Sequence, residues 1–312
     1  MTAGRQLALA GLCWSAAALC GCPPQCPQTS VPLEALVAEY NANASAVPRL
    51  WARARMSVTL ADEDGRRFTW GSASPLAAPN GLLLLSKGPD ELGPHDFVLI
   101  GRETAAVELF RLGSNVDEGL YYLWYRFGDR GRAWWGRTAY AGAPGVEHLP
   151  LDPNQLLSVL SVCALPSDFT TLPTAAMTMS HDPCAYVVTY VDRQPVSEKI
   201  LFRRQVYFRW SDERPRRPFR VDLLDNEGRR VMTADLDRYR AIAGAGREPP
   251  PVMPTDIRIA WPGRGSGVHL LLSDMTAEDR WSPQATQFRR FLPDGIPIDQ
   301  VDAALPAEGT AP

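Results

Sequence analysis

Apolar and polar positions alternate along most of the chain, and a helical spacing interrupts that alternation twice. The first interruption is "VPLEALVAEYNANASAV", where Leu33, Leu36, Val37, Tyr40 and Val47 fall on one helical face. Pro32 stands in its first turn, where a missing N–H does no harm, and the helix is expected to end around Asn43. Extended segments follow at short intervals, separated by Gly, Pro, Asn and Asp: "RARMSVTLA", "RRFTWGSA", "GLLLLSK", "DFVLIG", "AAVELFRLG", "LYYLWYRF" and "AWWGRT". This spacing predicts antiparallel strands joined by hairpins, among them Asp64-Gly65 and the turn Gly128–Gly131. The second interruption is "LDPNQLLSVLSV". Asp152 is its expected N-cap, Pro153 its first helical residue, and Leu156, Leu157 and Leu160 its apolar face. Strand patterning then resumes with "AYVVTYV", "EKILFRRQVYFRW", "PFRVDLLD", "RRVMTADLDRYRAI", "TDIRIAWP" and "GVHLLLSDM". About a dozen strands and two helices make a mainly β, α+β chain, and an apolar-faced sheet that long must curl and cover itself.

The first 21 residues change where this sheet is expected to work. Arg5 precedes an apolar run from Leu7 to Leu19, shorter than the roughly 20 residues a spanning helix needs and fitting the core of a secretory signal. Leu19-Cys20-Gly21-Cys22 resembles the lipobox of bacterial lipoproteins, which implies diacylglycerol on the Cys22 sulfur and cleavage before it. Cys13 and Cys20 fit less well, because Leu precedes each. The expectation is a signal peptide at 1–21 and a lipidated, Pro-rich tether at 22–32. A folded domain follows at 33–302, and a disordered tail at 303–312. An extended tether of that length would hold the domain about 30 Å from a bilayer, at ~3.1 Å per residue. The expected place is the cell envelope, lipid-anchored and facing the periplasm, more readily at the outer than the inner membrane.

Composition narrows the function. A net charge of -3 argues against a generic nucleic-acid binder, which is usually basic. About 280 residues beyond the tether can bury one sizeable core. Cys22, Cys26, Cys163 and Cys184 follow the cleavage point. Cys163 and Cys184 bracket about twenty residues, and an exported location permits a disulfide between them, worth ~3 kcal/mol. "HDPC" would make His181, Cys184 and Cys163 metal ligands, but no fourth donor stands at diagnostic spacing, so the disulfide is the expectation and no metal is.

Candidate chemistry is sparse. His95, His148, His181 and His269 have no paired-ligand neighbours, and "GRGSG" at 263–267 is neither a nucleophile elbow nor a phosphate-cradling loop. Asp222 and Asp225 are a carboxylate pair of a kind that strand-rich chains always offer, with Asp222 expected to face water beside Arg220. No enzyme and no cofactor are expected. Arg203, Arg204, Arg209, Arg214, Arg216, Arg217 and Arg220 cluster in one hairpin. They read as a solvated, charge-protected tip, with contact to anionic headgroups as the sharper alternative. In "YYLWYRFGDRGRAWWGR", Tyr122 and Trp124 share one strand face while Tyr121, Leu123, Tyr125 and Phe127 share the other. Such rings either fill a core or line an apolar cavity.

One long antiparallel sheet, an N-terminal helix and a short helix inserted midway resemble the LolA/LolB/RseB superfamily. With the lipobox, the chain is similar to LolB-like outer-membrane lipoproteins. "NANASAVPRLWARARMSV", "LGSNVDEGLYYLWY", "LPLDPNQLLSVL" and "PTDIRIAWP" resemble segments of LolA-like lipoproteins of the planctomycete kind. The resemblance implies an open, unclosed β-barrel whose concave face binds an acyl chain, a phospholipid or the lipid moiety of a lipoprotein under a helical lid. Residues 74–85 and 168–179 are the nearest to the protruding apolar loop of that family. The expected cavity wall is Met56, Val58, Trp70, Leu83, Leu85, Tyr122, Trp124, Leu156, Leu157 and Leu160. The function implied is a carrier or receptor in lipid or lipoprotein trafficking. The alternative is an RseB-like sensor or scaffold with a periplasmic protein partner and no transported ligand.

Overall fold

Thirteen residues of unbroken alternation, Arg49–Ala61, form the longest strand, and every second side chain from Leu50 to Leu60 is buried. A computed structural model describes residues 26, 30–47, 49–61, 65–87, 95–104, 107–143, 146, 149–193, 200–210, 215–225, 227–278, 280 and 288–305. Segment 1–21, Cys22, most of the tether and residues 306–312 lie outside the described residues. Helix α1 is Leu33–Ala44. The strands that follow are β1 (Arg49–Ala61), β2 (Arg67–Gly71), β3 (Gly81–Lys87), β4 (His95–Arg102), β5 (Glu108–Asn115), β6 (Leu120–Phe127) and β7 (Arg130–Arg137). After helix α2 (Pro153–Val159) come β8 (Thr174–His181), β9 (Cys184–Arg193), β10 (Ile200–Arg209), β11 (Pro218–Leu224) and β12 (Arg230–Asp237). The short pair β13 (Arg240–Ala241) and β14 (Val252–Met253) precedes β15 (Asp256–Trp261), β16 (Ser266–Thr276) and β17 (Ile298–Gln300).

β1 is the hub of the sheet. On one side the order runs outward through β3, β4, β5, β6 and β7; on the other it runs through β16, β15, β12, β11, β10, β9 and β8. β2 folds back on the second half of β1, and β17 adds to the edge of β7 as a parallel strand. The ends of the path, β17 and β8, are not paired with each other, so the sheet is open. Laid flat, its fourteen successive strands would span about 60 Å at ~4.8 Å each. It curls instead, so that one face collects its side chains into a single buried cluster. Register shows that face directly: Ala52, Leu83, Leu99, Leu112, Leu123 and Trp134 are consecutive partners across β1, β3, β4, β5, β6 and β7.

β7 and β8 lie near opposite ends of the sheet, so residues 138–173 must cross it from side to side. They cross the concave face as a strap, and Leu149, Leu151, Leu156, Leu157, Leu160 and Leu165 join the buried cluster there. Its helix forms where the sequence predicts. The Asp152 carboxylate accepts from the N–H of Asn154 at 2.9 Å and of Gln155 at 3.3 Å, with Pro153 at the first helical position. α1 covers the other half with Leu36, Val37 and Tyr40, and the Tyr40 ring meets Phe208 edge-on at 6.0 Å.

The C-terminal segment covers part of the convex face. Phe288 packs on Leu84, Val98 and Ile100. Phe291 stands edge-on to Trp124 at 6.4 Å, and the Arg290 guanidinium lies 4.2 Å from the Trp135 ring centre. Asp302 then accepts from Arg137 at 2.6 Å. The turn continues through Leu305, whose carbonyl accepts from Arg137 at 3.2 Å.

Several expectations change. Cys184 is bonded to Cys26, with Cα atoms 5.5 Å apart, and Cys163 is free. The stretch between Cys163 and Cys184 is no compact loop: it holds the end of the strap and all of β8. Cys163 stays on the strap, its thiol turned to the Leu157 carbonyl, while Cys184 opens β9 opposite His181. β8 itself was not expected, because "TAAMTMSH" lies at the sheet edge with none of its side chains fully buried and carries no strong apolar alternation. "RRVMTADLDRYRAI" is not one strand: it breaks at Arg238, whose φ of 56° leaves the extended region. Asp222 shares a strand face with Arg220 as expected but does not face water. It is fully buried, held by Arg220 at 3.0 Å, Arg230 at 3.2 Å and the Thr233 hydroxyl.

Candidate functional site

The site is assembled from the concave face, the strap above it and the cleft along the strap's margin. Met56, Val58, Leu83, Leu85, Leu156, Leu157 and Leu160 all belong to the buried concave cluster. Trp70 is half-buried at its border, stacked on Phe127 at 5.3 Å with 10° between the ring planes. Gly101 makes room for it, since a Cβ there would come within 2.7 Å of the Trp70 ring.

Tyr122 and Trp124 are not on this face. Tyr122 is the register partner of Gly113, which pairs in turn with Val98 and, through it, with Leu84, so these residues form the convex stripe. The Tyr122 hydroxyl donates to the Phe288 carbonyl at 3.3 Å, and Trp124 packs beneath Phe291. The expected cavity wall therefore mixed two faces of the sheet. The rings that do point inward are Tyr121, Tyr125 and Phe127 with their partner Trp134. Tyr125 stacks on Phe127 at 5.2 Å and leans on Phe68 at 5.6 Å and Trp134 at 5.9 Å.

A small set of polar contacts fastens the strap at its margins. The Trp261 indole N–H donates to Gln155 Oε1 at 2.6 Å, and the Ser266 hydroxyl to the Pro150 carbonyl at 2.5 Å. Arg264 donates to the Leu149 carbonyl, and burial lowers the pKa of its guanidinium. On the far side Asn41 of α1 exchanges two hydrogen bonds with Leu165, at 2.8 and 2.7 Å. Tyr190 donates to the Pro166 carbonyl at 3.2 Å, and burial pushes its phenol up to about 12. Where the strap leaves α2, Ser161 takes a φ of 62° and shares a hydrogen bond with the Tyr239 hydroxyl at 3.3 Å.

Between the strap and strands β9 to β12 lies a cleft of about 620 Å³. Its walls join apolar groups (Ala143, Val146, Leu223, Leu224 and Val231) to charged ones, among them Arg203, Arg204, Asp225, Arg229 and Arg264. None of the ten expected cavity residues lines it. A signal did exist in the sequence, since Arg203 and Arg204 stood in the arginine-rich hairpin. The other arginines of that group are employed differently. Arg216 is buried against Glu39 at 3.3 Å, Arg217 lies over the Tyr239 ring, Arg209 over Phe219, and Arg220 holds Asp222. Arg214 lies outside the described residues. Nearby, Cys163 keeps its proton, with burial pushing the thiol up to about 11 against the pull of Arg204. Among the described residues no three His, Cys, Asp or Glu side chains converge as metal ligands, and no helix is long and apolar enough to cross a membrane.

Leu76, 97% exposed, projects from the loop between β2 and β3, within the 74–85 stretch singled out above. Asn80 pins the base of that loop, accepting from the Met56 N–H at 2.7 Å and donating to the Met56 carbonyl at 2.9 Å.

No protein-family model matches the chain, and no curated protein matches it. Solved structures do resemble it. A DUF1329 family protein from Desulfovibrio piger is 14% identical with a TM-score of 0.45, over 81% of this chain and 96% of that one. A putative outer membrane lipoprotein-sorting protein domain from Vibrio parahaemolyticus is 12% identical with a TM-score of 0.46, over 82% and 95%. A LolA superfamily protein from Nitrosomonas europaea is 15% identical with a TM-score of 0.41, over 80% and 95%. Likenesses of this size, with TM-scores under 0.5, identify neither a family nor an activity.

Proposed function

We propose that this chain is a lipid-anchored, periplasm-facing carrier or receptor, not an enzyme. Its ligand would be an acyl chain, a phospholipid or the lipid moiety of a lipoprotein, taken up on the concave face beneath the strap. One observation carries this reading: an open sheet whose concave face is apolar, closed by a strap that is apolar below and fastened by a few polar contacts at its edges. Swinging α2 away would expose Leu156, Leu157 and Leu160, at a cost of about 6 kcal/mol if each loses ~2 kcal/mol of burial. A twelve-carbon chain entering in its place would recover roughly 9 kcal/mol at ~0.8 kcal/mol per CH₂. The exchange is therefore favourable for a long chain and unfavourable for a short one. The pinned loop that presents Leu76 would be the part that touches a bilayer or a cargo lipid.

The test is native mass spectrometry on the full chain carrying Cys22→Ser, exported to a periplasm and purified without detergent. The expected spectrum carries an added mass matching a phospholipid or fatty acid, exchangeable with added lipid. A clean unliganded mass that also ignores added lipid would overturn the reading and turn the search to protein partners.

A further inference from the structure

We propose that the cleft beside the strap is an oxyanion site for the headgroup of the bound amphiphile, with Arg203 and Arg204 as its donors. The proposal rests on the carrier reading above and adds to it the chemical class of ligand: an acyl chain ending in phosphate or carboxylate.

The pairing of β10 with β9 contains a fault. β10 follows β9 in regular register up to Phe202 opposite Val191, and the next pair is Arg204 opposite Tyr190. The register slips there, and Arg203 stands in the extra position. In a regular strand two adjacent residues point to opposite faces, and a bulge is the local means of turning both the same way. Both arginines line the cleft. On the strap side Gly142, at a φ of 77°, passes over Arg203, and a Cβ there would sit 3.4 Å from its Nη2.

Charge pairing separates these two from their neighbours. Of the acidic groups of the cleft, Asp225 and Glu227 hold Arg229 at 2.9 and 2.8 Å, while Asp152 caps α2 and Asp192 accepts the Arg193 N–H at 2.7 Å. Arg203 and Arg204 are half-buried and make no ion pair among the described residues. Arg204 is aimed by its ring contact, its guanidinium 5.2 Å from the Tyr190 centroid. Two adjacent, partly desolvated cations without a directly paired carboxylate among the described residues repel each other, and an entering oxyanion relieves that cost while accepting charge-assisted hydrogen bonds. The apolar side of the cleft, Val146 and Val231, gives the first carbons of a chain a path toward the strap. At about 620 Å³ the volume suits a headgroup and a few methylenes and not a whole lipid.

The test uses the full chain carrying Cys22→Ser and isothermal titration below the critical micelle concentration. The probes are dodecyl phosphate, uncharged monododecanoylglycerol and inorganic phosphate. Dodecyl phosphate is expected to bind about tenfold to a hundredfold more tightly than the uncharged lipid. The combined Arg203→Gln and Arg204→Gln variant is expected to bring that ratio to about one, with Arg204→Lys keeping part of the preference. Should the double variant fail to give a cooperative thermal transition, Arg203→Gln alone is the second variant, and a several-fold drop in the ratio is expected of it. Equal affinity of the unmodified arginines for charged and uncharged lipid would overturn the headgroup site and leave the carrier reading standing. Inorganic phosphate binding as tightly as dodecyl phosphate would overturn the lipid assignment in favour of a free oxyanion. If neither amphiphile binds, it is the carrier reading that fails.

Discussion

Leu123 and Trp124 are adjacent in the chain and work on opposite sides of the sheet. Leu123 meets Leu112 and Trp134 in the concave core, whereas Trp124 lies under Phe291 on the convex side. Truncating each should separate the two sides. Leu123→Ala is expected to lower stability by about 3 kcal/mol through the cavity it leaves. Trp124→Ala is expected to loosen residues 288–291 and to leave acyl-chain affinity within twofold of the parent; urea melts and lipid titration of both variants check this. Loss of lipid binding in Trp124→Ala would put the ligand on the wrong face for this proposal. The sequence could not resolve that parity. In "LYYLWYRF" both faces are apolar, so no polar alternation marks the outward side, and the residues that cover the outer face come about 160 positions later. At the exposed extreme, Leu76→Glu should change stability by less than ~0.5 kcal/mol, since nothing packs on that side chain, while slowing lipid transfer to vesicles.

Among the elements, α2 was legible because its signals are local: a capping Asp, a Pro at the first position and leucines at helical spacing. β8 was not, because an edge strand of small and polar residues is set by its neighbour β9 and not by its own pattern. The disulfide illustrates the same limit. Nearness in sequence suggested Cys163 for Cys184, but the strap carries Cys163 away and the entry to α1 brings Cys26 in. The strap's fastening gives a direct prediction. Gln155→Ala removes the acceptor of the buried Trp261 indole, which should cost about 1–3 kcal/mol locally. Hydrogen exchange should then accelerate across residues 149–165 while β1 and β16 keep their protection. Uniform acceleration over the whole sheet would mean that the strap does not open as a separate unit.

For the molecule as a whole, β1 divides two antiparallel meanders, and the connection between their outer ends is what closes the concave face. That arrangement follows from strand order, which alternation alone leaves open; the class of sheet was readable, its order was not. The C-terminal segment is held to the β7 edge by Asp302, which has a definite pH signature. Burial works to raise the Asp302 carboxyl, but hydrogen bonds from Arg137 and Gln300 prevail and hold it below the usual carboxylate range. A carboxyl depressed in the folded state stabilises fully above its unfolded value of about 4, and that contribution disappears as pH falls through the lower folded value. Urea melts between pH 7 and pH 2 should therefore show a loss on acidification that is smaller in Asp302→Asn than in the parent, by the share this carboxyl contributes. The same variant should lower stability at pH 7 by about 3 kcal/mol, the scale of breaking a buried pair.

The bond between Cys26 and Cys184 also sets how this protein can stand. Were the anchor to act through the whole stretch 22–32, the domain would hang on a leash and sweep a wide arc above its membrane. With position 26 locked to the start of β9, a lipid on Cys22 would have only four residues between it and the fold, a reach of at most about 14 Å. A lipid on Cys22 would thus press one end of the sheet, where β8 turns into β9, close to the headgroups and forbid the molecule from tumbling. Anchored so, it would be a moored post, and of the two roles proposed the receptor's would suit it better: its cargo would be brought to it or drawn from the membrane at its foot.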